Sequence, residues 1–311
     1  MYGTRELNNL IDVVKEVVKN DRIADVSVYV GTEKSKNRKL TFLLLDEHGN
    51  HLGFLKFPIE SESETFIEKE FYALNKLKKY DFNFLNLPAN VKLLNFNGRK
   101  VLFQESIFNN TRQLKNRLNS IITDAAAELA RNTKHYNIKK YFDKIFNDLD
   151  QAEEIRFFKE KLINISDYLL ELNIPLVFIH GDFVLYNMQF RGNKLYLIDW
   201  EYFRGGLPLF DLFHFVFQGK IQIEKKSIRK CIKAVFIKRN LEIFKYYLNK
   251  FNLNINLIEP EKIIRDLFIV YLIDNLLFER KIKVNLSLIK SHYYDALKYI
   301  LLNKKSVLNC G

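Results

Sequence analysis

The hydrophobic period of this 311-residue chain changes once, near residue 110, and that change limits the folds open to it. Up to Gln104 the apolar residues alternate in short runs. Val26, Val28 and Val30 share one side of DVSVYV, and KLTFLLLD and HLGFLKF follow across a turn at His48-Gly49-Asn50. VKLLNFNGRKVLFQ reads as a hairpin, because Asn97-Gly98 supplies the positive φ angles that a two-residue turn between twisted strands requires. Two helices belong to this part. One opens the chain, with Leu7, Leu10, Ile11, Val14, Val17 and Val18 at helical spacing; the other, TFIEKEFYALNKLKKY, follows a capping-box pattern at Ser61 and Glu64 and should end near Tyr80. From Thr111 the spacing is that of long helices, and only PLVFI, NMQF and KLYLID read as strands. The pattern predicts an α+β protein of two lobes. Residues 1–104 form a small antiparallel five-stranded sheet with a helix, 105–110 a connecting passage, and 111–311 a mainly helical lobe.

Composition narrows the setting. Hydrophobic residues make up 48% of the chain, enough for a large ordered core, and there is no repeat or low-complexity tract. Two cysteines, Cys231 and Cys310, have neither the number nor the spacing of a disulfide framework or zinc site, which fits a reducing compartment. Polar residues interrupt the N-terminal segment where a secretory signal needs an apolar run, and LFIVYLIDNLLF is too short and too polar at Asp274 to span a bilayer. A cytoplasmic protein is expected. The formal charge of +12 is concentrated: residues 221–311 hold 18 Lys and Arg against 8 Asp and Glu. Such a field suits an anionic substrate or weak association with an anionic membrane face, or is simply a set of solvated lysines. Charge alone does not make a nucleic-acid binder, and no nucleic-acid motif or obligate protein partner is evident.

The segment IHGDFVLYNMQF, Ile179 to Phe190, places an aspartate and an asparagine between two apolar strands. The following MQFRGNKLYLIDWEY is a small hairpin that delivers Asp199 to a strand end. Asp182, Asn187 and Asp199 can therefore face one space, where one aspartate orients a hydroxyl while the amide and the second aspartate offer hard oxygen ligands to magnesium. Phosphoryl transfer asks for such a set, since its loose transition state needs positioning and charge neutralisation above all.

HGDFVLYN followed by LIDWE resembles the aminoglycoside phosphotransferase and choline kinase family, a branch of the protein-kinase-like fold. The resemblance implies Asp182 as catalytic aspartate, with Asn187 and Asp199 as magnesium ligands. It also demands a strand lysine paired with a helix glutamate to grip nucleotide phosphates. Lys56 lies on an otherwise apolar strand face, where an unpaired ammonium is costly, and Glu70 falls within the apolar arc of the next helix while Glu68 points away. By the same resemblance Ser35 and Asn37, in a loop whose only glycine is Gly31, would cover the phosphates; main-chain groups of Glu105 and Ile107 would meet the base; His180 and Asp211 would brace the catalytic loop. Glu201 reads equally as a metal or substrate contact and as a cap. Two positions depart from the wider pattern. Leu185 stands near where many relatives have proline, and Val184 stands where protein kinases carry a lysine, so the cation that accompanies Lys56 is unassigned.

The expected activity is ATP- and Mg²⁺-dependent transfer of a phosphoryl group to a hydroxyl of a small molecule, with GTP an alternative donor. The basic C-terminal region favours a neutral or anionic acceptor such as a sugar, a glycoconjugate intermediate or a lipid headgroup. A local acidic patch from Asp266, Asp274, Glu279 and Asp295 would favour an aminoglycoside instead. A catalytically silent, pseudokinase-type binding module is the reading from another class.

Overall fold

In the computed structural model the alternating runs become β1 (Asp25–Val30), β2 (Lys39–Leu45), β3 (His51–Pro58), β5 (Val91–Phe96) and β6 (Arg99–Glu105), all antiparallel, in the spatial order β1-β2-β3-β6-β5. The structure describes residues 12, 14–30, 36–107, 111–112, 115–135, 137–250, 259–282 and 291–302. Asn97 and Gly98 adopt φ of 48° and 77°, the left-handed pair that closes β5 onto β6 without splaying them. Residues 14–18 are helical (α1), and Val14 and Val18 pack with Ile23, Phe42, Leu44, Leu55 and Phe103 on one face of the sheet. Leu7, Leu10 and Ile11 lie outside the described residues.

The other face takes α2 (Ser61–Leu77), whose Ile67, Leu74 and Leu77 join Leu102 of β6 in the main core. Its start differs from the Ser61–Glu64 expectation. The cap sits one residue earlier, at Glu60: the Ser63 hydroxyl accepts the Glu60 N–H at 3.0 Å and donates to the Glu60 carbonyl at 2.6 Å. Glu64 is drawn elsewhere, accepting the N–H of Lys100 at 2.8 Å, so it ties the helix to the β5–β6 hairpin. The helix ends at Leu77, and residues 78–80 continue as a turn.

Beyond the sheet the chain is mainly helical: α3 (Ser120–Thr133), α4 (Ile138–Asp150), α5 (Lys159–Glu171), α6 (Phe210–Gln218), α7 (Ile228–Val235), α8 (Lys238–Lys250), α9 (Pro260–Ile282) and α10 (His292–Leu302). Short strands lie between them. β7 (Val177–Ile179) pairs with β10 (Arg204–Gly206), and β8 (Met188–Arg191) pairs with β9 (Lys194–Leu197). β4 (Leu85–Asn86), from the connection after α2, adds to β9 in parallel. The Glu128 carboxylate of α3 accepts the N–H groups of Asn83, Phe84 and Leu85 at 2.6–3.2 Å, so the connection that follows α2 is held against the helical lobe. The fold is the two-lobed, protein-kinase-like α+β arrangement.

Every residue of α6 is buried, which makes it the central post of the helical lobe. Phe213 meets Phe244 of α8 and Phe268 of α9 edge-on, at centroid distances of 5.1 and 5.2 Å. The apolar run in α9 is covered by this packing, and no helix among the described residues is long and apolar enough to cross a membrane. Phe213→Ala should lower the unfolding free energy by about 3–5 kcal/mol, as a lost aromatic side chain in a close-packed core does. Urea unfolding followed by tryptophan fluorescence reads it, and a loss below about 1 kcal/mol would show a core free to collapse around the gap.

Candidate active site

β7 ends at Ile179, and the next three residues turn sharply around a fixed anchor. Gly181 has φ of 86°, and a Cβ there would come within 2.4 Å of the Tyr202 carbonyl oxygen, so only glycine fits. Asp211, at the start of α6, accepts the N–H of His180 at 3.0 Å and of Gly181 at 3.2 Å. Burial raises the Asp211 carboxyl above its ordinary value, opposed by these donors and by His180. His180 is itself fully buried against Trp200, with Nε2 2.9 Å from the Ile198 carbonyl and Nδ1 accepting the N–H of Asp182 at 3.2 Å. The loop is thus tied to both the start of α6 and the turn after β9.

Asp182 emerges from this frame with its side chain 29% exposed. One oxygen, Oδ2, accepts from the Asn187 amide at 3.0 Å; the other, Oδ1, lies 3.2 Å from His214 Nε2. His214 in turn has Nδ1 3.2 Å from the Tyr271 hydroxyl. The Asn187 NH₂ also donates to the Asp182 carbonyl, which turns its own Oδ1 away from that contact. Asp199 follows β9 in the left-handed conformation, φ 66° and ψ 59°, a rare state for a non-glycine residue that aims its carboxylate at the sheet of the other lobe.

There it meets Lys56. The Lys56 ammonium bonds both oxygens of Glu70, at 2.7 and 2.8 Å, and Asp199 Oδ1 at 2.7 Å. Lys56 and Glu70 are almost completely buried, whereas Glu68 is exposed. A second ammonium, from Lys39, reaches the same Asp199 oxygen at 3.0 Å and also forms a short contact with Glu201. Asn37 donates to Glu201 and to the Tyr202 hydroxyl, each at 2.7 Å. Burial alone would raise Asp199 and lower Lys39, but their mutual attraction prevails: Asp199 is held far below the usual carboxylate range and Lys39 well above the usual lysine value. Glu201 goes the other way. Its burial, with Asp199 adding repulsion, raises it to about 7 despite Lys39.

The structure therefore gathers Lys56, Glu70, Asp199, Asn37 and Glu201 across the cleft, with Asp182 and Asn187 on the loop beneath. Ser35 lies outside the described residues. Glu105 is less available than expected, because its N–H donates to the Asn90 carbonyl at 2.9 Å, as the chain is still strand there; its neighbour Ser106 donates to Leu52. Sequence reasoning missed Lys39, His214 and Tyr202. Lys39 had a signal in its place two residues from the strand position opposite Lys56; a histidine within LFHF and a tyrosine after Trp200 look like core residues and carry none.

The donor chemistry fits a hard cation in part. Asp199 and Asn187 offer carboxylate and amide oxygens, yet among the described residues no three Asp, Glu, His or Cys side chains converge as a self-sufficient metal site. A magnesium ion held by one or two protein oxygens takes the rest of its shell from phosphates and water, which is the donor set such a site provides. Beside Asp182 a cavity of about 700 Å³ opens between α6, α9 and α10, lined by Tyr202, His214, Gln218, Lys225, Lys226 and Glu279 among others.

This fold is that of the kinase-like phosphotransferases. Residues 111–224 match the model of the APH phosphotransferase enzyme family. Among solved structures, a GDP complex of aminoglycoside 2'-phosphotransferase-IIIa is 11% identical with a TM-score of 0.57, covering 97% of this chain and 99% of that one. Plasmodium vivax ethanolamine kinase is 12% identical with a TM-score of 0.55, covering 95% and 84%. Amicoumacin kinase in complex with AMP-PNP, Ca²⁺ and Ami is 10% identical with a TM-score of 0.50, covering 99% and 98%. No curated protein matches the chain.

Removing one partner of the buried pair should cost more than removing both. Glu70→Leu, which leaves the Lys56 ammonium short of a counter-charge, should destabilise the protein by about 3–5 kcal/mol, and the double variant Lys56→Met/Glu70→Leu should regain most of that loss. Urea unfolding of the three proteins checks it; a double variant no more stable than the single one would show that the pair is not a unit.

Proposed function

We propose that the protein is an ATP- and Mg²⁺-dependent kinase that phosphorylates a hydroxyl of a neutral or anionic small molecule. The observation that carries this reading is the Glu70–Lys56–Asp199 bridge across the cleft, set beside an accessible Asp182 that opens onto a cavity. In this reading residues 1–104 bind the nucleotide, 105–110 act as hinge, and 111–311 carry catalysis and the acceptor. Lys56 grips the phosphates and Glu70 holds Lys56; Asn187 and Asp199 would hold the metal, which would supply positive charge to the transferring group. Ile107 and the Glu105 carbonyl would serve the base, and Asn37 and Ser35 would close over the phosphates.

Asp182 accepts a hydrogen bond from the acceptor hydroxyl and aligns its oxygen with the γ-phosphorus. The new O–P bond forms as the bond from the γ-phosphorus to the β–γ bridging oxygen breaks, the nucleoside diphosphate leaves, and the hydroxyl proton passes to the Asp182 carboxylate. The contacts at His180, Gly181, Asn187 and His214 keep that carboxylate from turning, which is what an orienting base needs.

The lining of the cavity favours the acceptor class. Lys225 and Lys226 stand on its rim, and of the four acids that would attract a polycation only Glu279 faces it. Asp274 is bound to Arg204 at 2.8 Å, and Asp266 lies beside Lys262 and Arg265. An aminoglycoside acceptor is therefore the weaker reading. The intact lysine–glutamate pair likewise disfavours a silent module.

Asp182→Ala should lower turnover by about 10²–10⁴-fold while nucleotide affinity stays within about twofold. Nucleoside diphosphate release across a panel of sugars, phospho-sugars and amino alcohols, with Asp199→Ala as blank, identifies the acceptor; wild type indistinguishable from the blank throughout would favour the silent module. The double variant Lys225→Glu/Lys226→Glu should raise KM for an anionic acceptor by about tenfold or more with little change in kcat, since rim charges act mainly on capture.

A further inference from the structure

We infer that Lys39 is a second phosphate-contacting residue, which supplies at the migrating γ-phosphoryl group the cation that the catalytic loop lacks at Val184. The inference rests on the phosphotransferase reading above. Strand register fixes where Lys39 can reach. Thr41 of β2 stands opposite Lys56 of β3, and Lys39 stands opposite Pro58, so Lys39 and Lys56 project from the same face of the sheet, diagonally placed on neighbouring strands. Both ammonium groups meet the same oxygen of Asp199, Lys56 at 2.7 Å and Lys39 at 3.0 Å.

Their other partners differ, and the difference gives direction. Lys56 is held on the side of Glu70, at the back of the cleft. Lys39 is held by Glu201, whose other oxygen takes the amide of Asn37, and Asn37 also bonds Tyr202, a wall of the cavity beside Asp182. The contacts thus run from Glu70 through Lys56, Asp199, Lys39, Glu201 and Asn37 to Tyr202, which lines the acceptor cavity. In the proposed transfer, a phosphoryl group moving from a diphosphate gripped by Lys56 to a hydroxyl aligned by Asp182 comes within reach of Lys39, which shares Asp199 with Lys56. Lys39 is only 13% exposed, so its charge acts there with little screening by water. Its ammonium is held in place by Asp199 and Glu201, and a charge positioned in advance need not reorganise as negative charge moves along the reaction path.

A contact with the γ-phosphoryl group differs from a structural strap in what it discriminates. Lys39→Met, and Lys39→Gln, which keeps a donor for Glu201 without the charge, should weaken binding of AMP-PNP with Mg²⁺ by about tenfold or more while changing ADP binding by less than about twofold, measured by calorimetry without acceptor. Lys39→Arg should restore most of the lost AMP-PNP affinity. Equal losses for both nucleotides would make Lys39 a strap between the lobes and overturn the inference, as would no loss for either. Wild-type protein that binds neither nucleotide would instead remove the phosphotransferase reading on which it stands.

Discussion

Lys56 sits between two carboxylates that come from different lobes, and an ammonium group withdrawn from water persists only while both compensate it. Glu70 belongs to α2 and Asp199 to the turn after β9, so one ammonium sets the distance between the sheet and the helical lobe. The rest of the structure keeps those three positions. The β5–β6 hairpin holds α2 through Glu64, the core around Leu74 and Leu77 fixes the helix against β6, and the left-handed turn at residue 199 aims the carboxylate. Each support is unremarkable by itself. Together they make the ion pair possible, because a buried charge tolerates little error in position.

The catalytic loop is anchored by a different device. Its backbone donors end on Asp211, its histidine ends on the Ile198 carbonyl, and its glycine lies against Tyr202. All three anchors lie close to, or along, the chain that carries Asp199. The loop and the turn at Asp199 are therefore tied together, and α6, wholly buried, is what they rest on. In the proposed mechanism an orienting base and a metal ligand would gain from such a union, since a small misplacement between them would be felt directly in the rate.

What could be read from the sequence was what depends on neighbouring residues. Asn97-Gly98 fixes a hairpin because the turn needs positive φ, and the segments around Asp182 and Asp199 show themselves by strand-loop-strand alternation. Glu70 could be chosen over Glu68 because helical period alone decides which of them faces the sheet. The misplaced cap of α2 shows the limit even of local rules: Ser61 and Glu64 have the right spacing, but Glu64 is worth more to the Lys100 N–H than to a cap that Glu60 and Ser63 already supply. Lys39 was lost for another reason. Its partners are some 160 positions away, and one lysine among several in KSKNRK gives no sign of which will be turned inward. His214 failed similarly, since an imidazole on an apolar helix is ordinarily packing and only the fold brings it to Asp182.

The charge of the chain acquires a location once the fold is known. The basic excess of residues 221–311 does not cover the lobe as a uniform field; Lys225 and Lys226 bring part of it to the mouth of the cavity beside Asp182, while Lys245 and Lys281 are taken up by Glu261 and Asp148. Within the cleft the balance reverses, with Glu70, Asp199 and Glu201 facing Lys39 and Lys56. Carboxylates inside and ammonium groups at the rim suit two tasks that conflict when assigned to the same residues. In the proposed reading interior acids would hold cations, and through them the phosphates of a nucleotide, while rim lysines would draw an anionic acceptor without competing for the metal. A polycationic acceptor would invert the second requirement and leave Lys225 and Lys226 repelling the molecule they border.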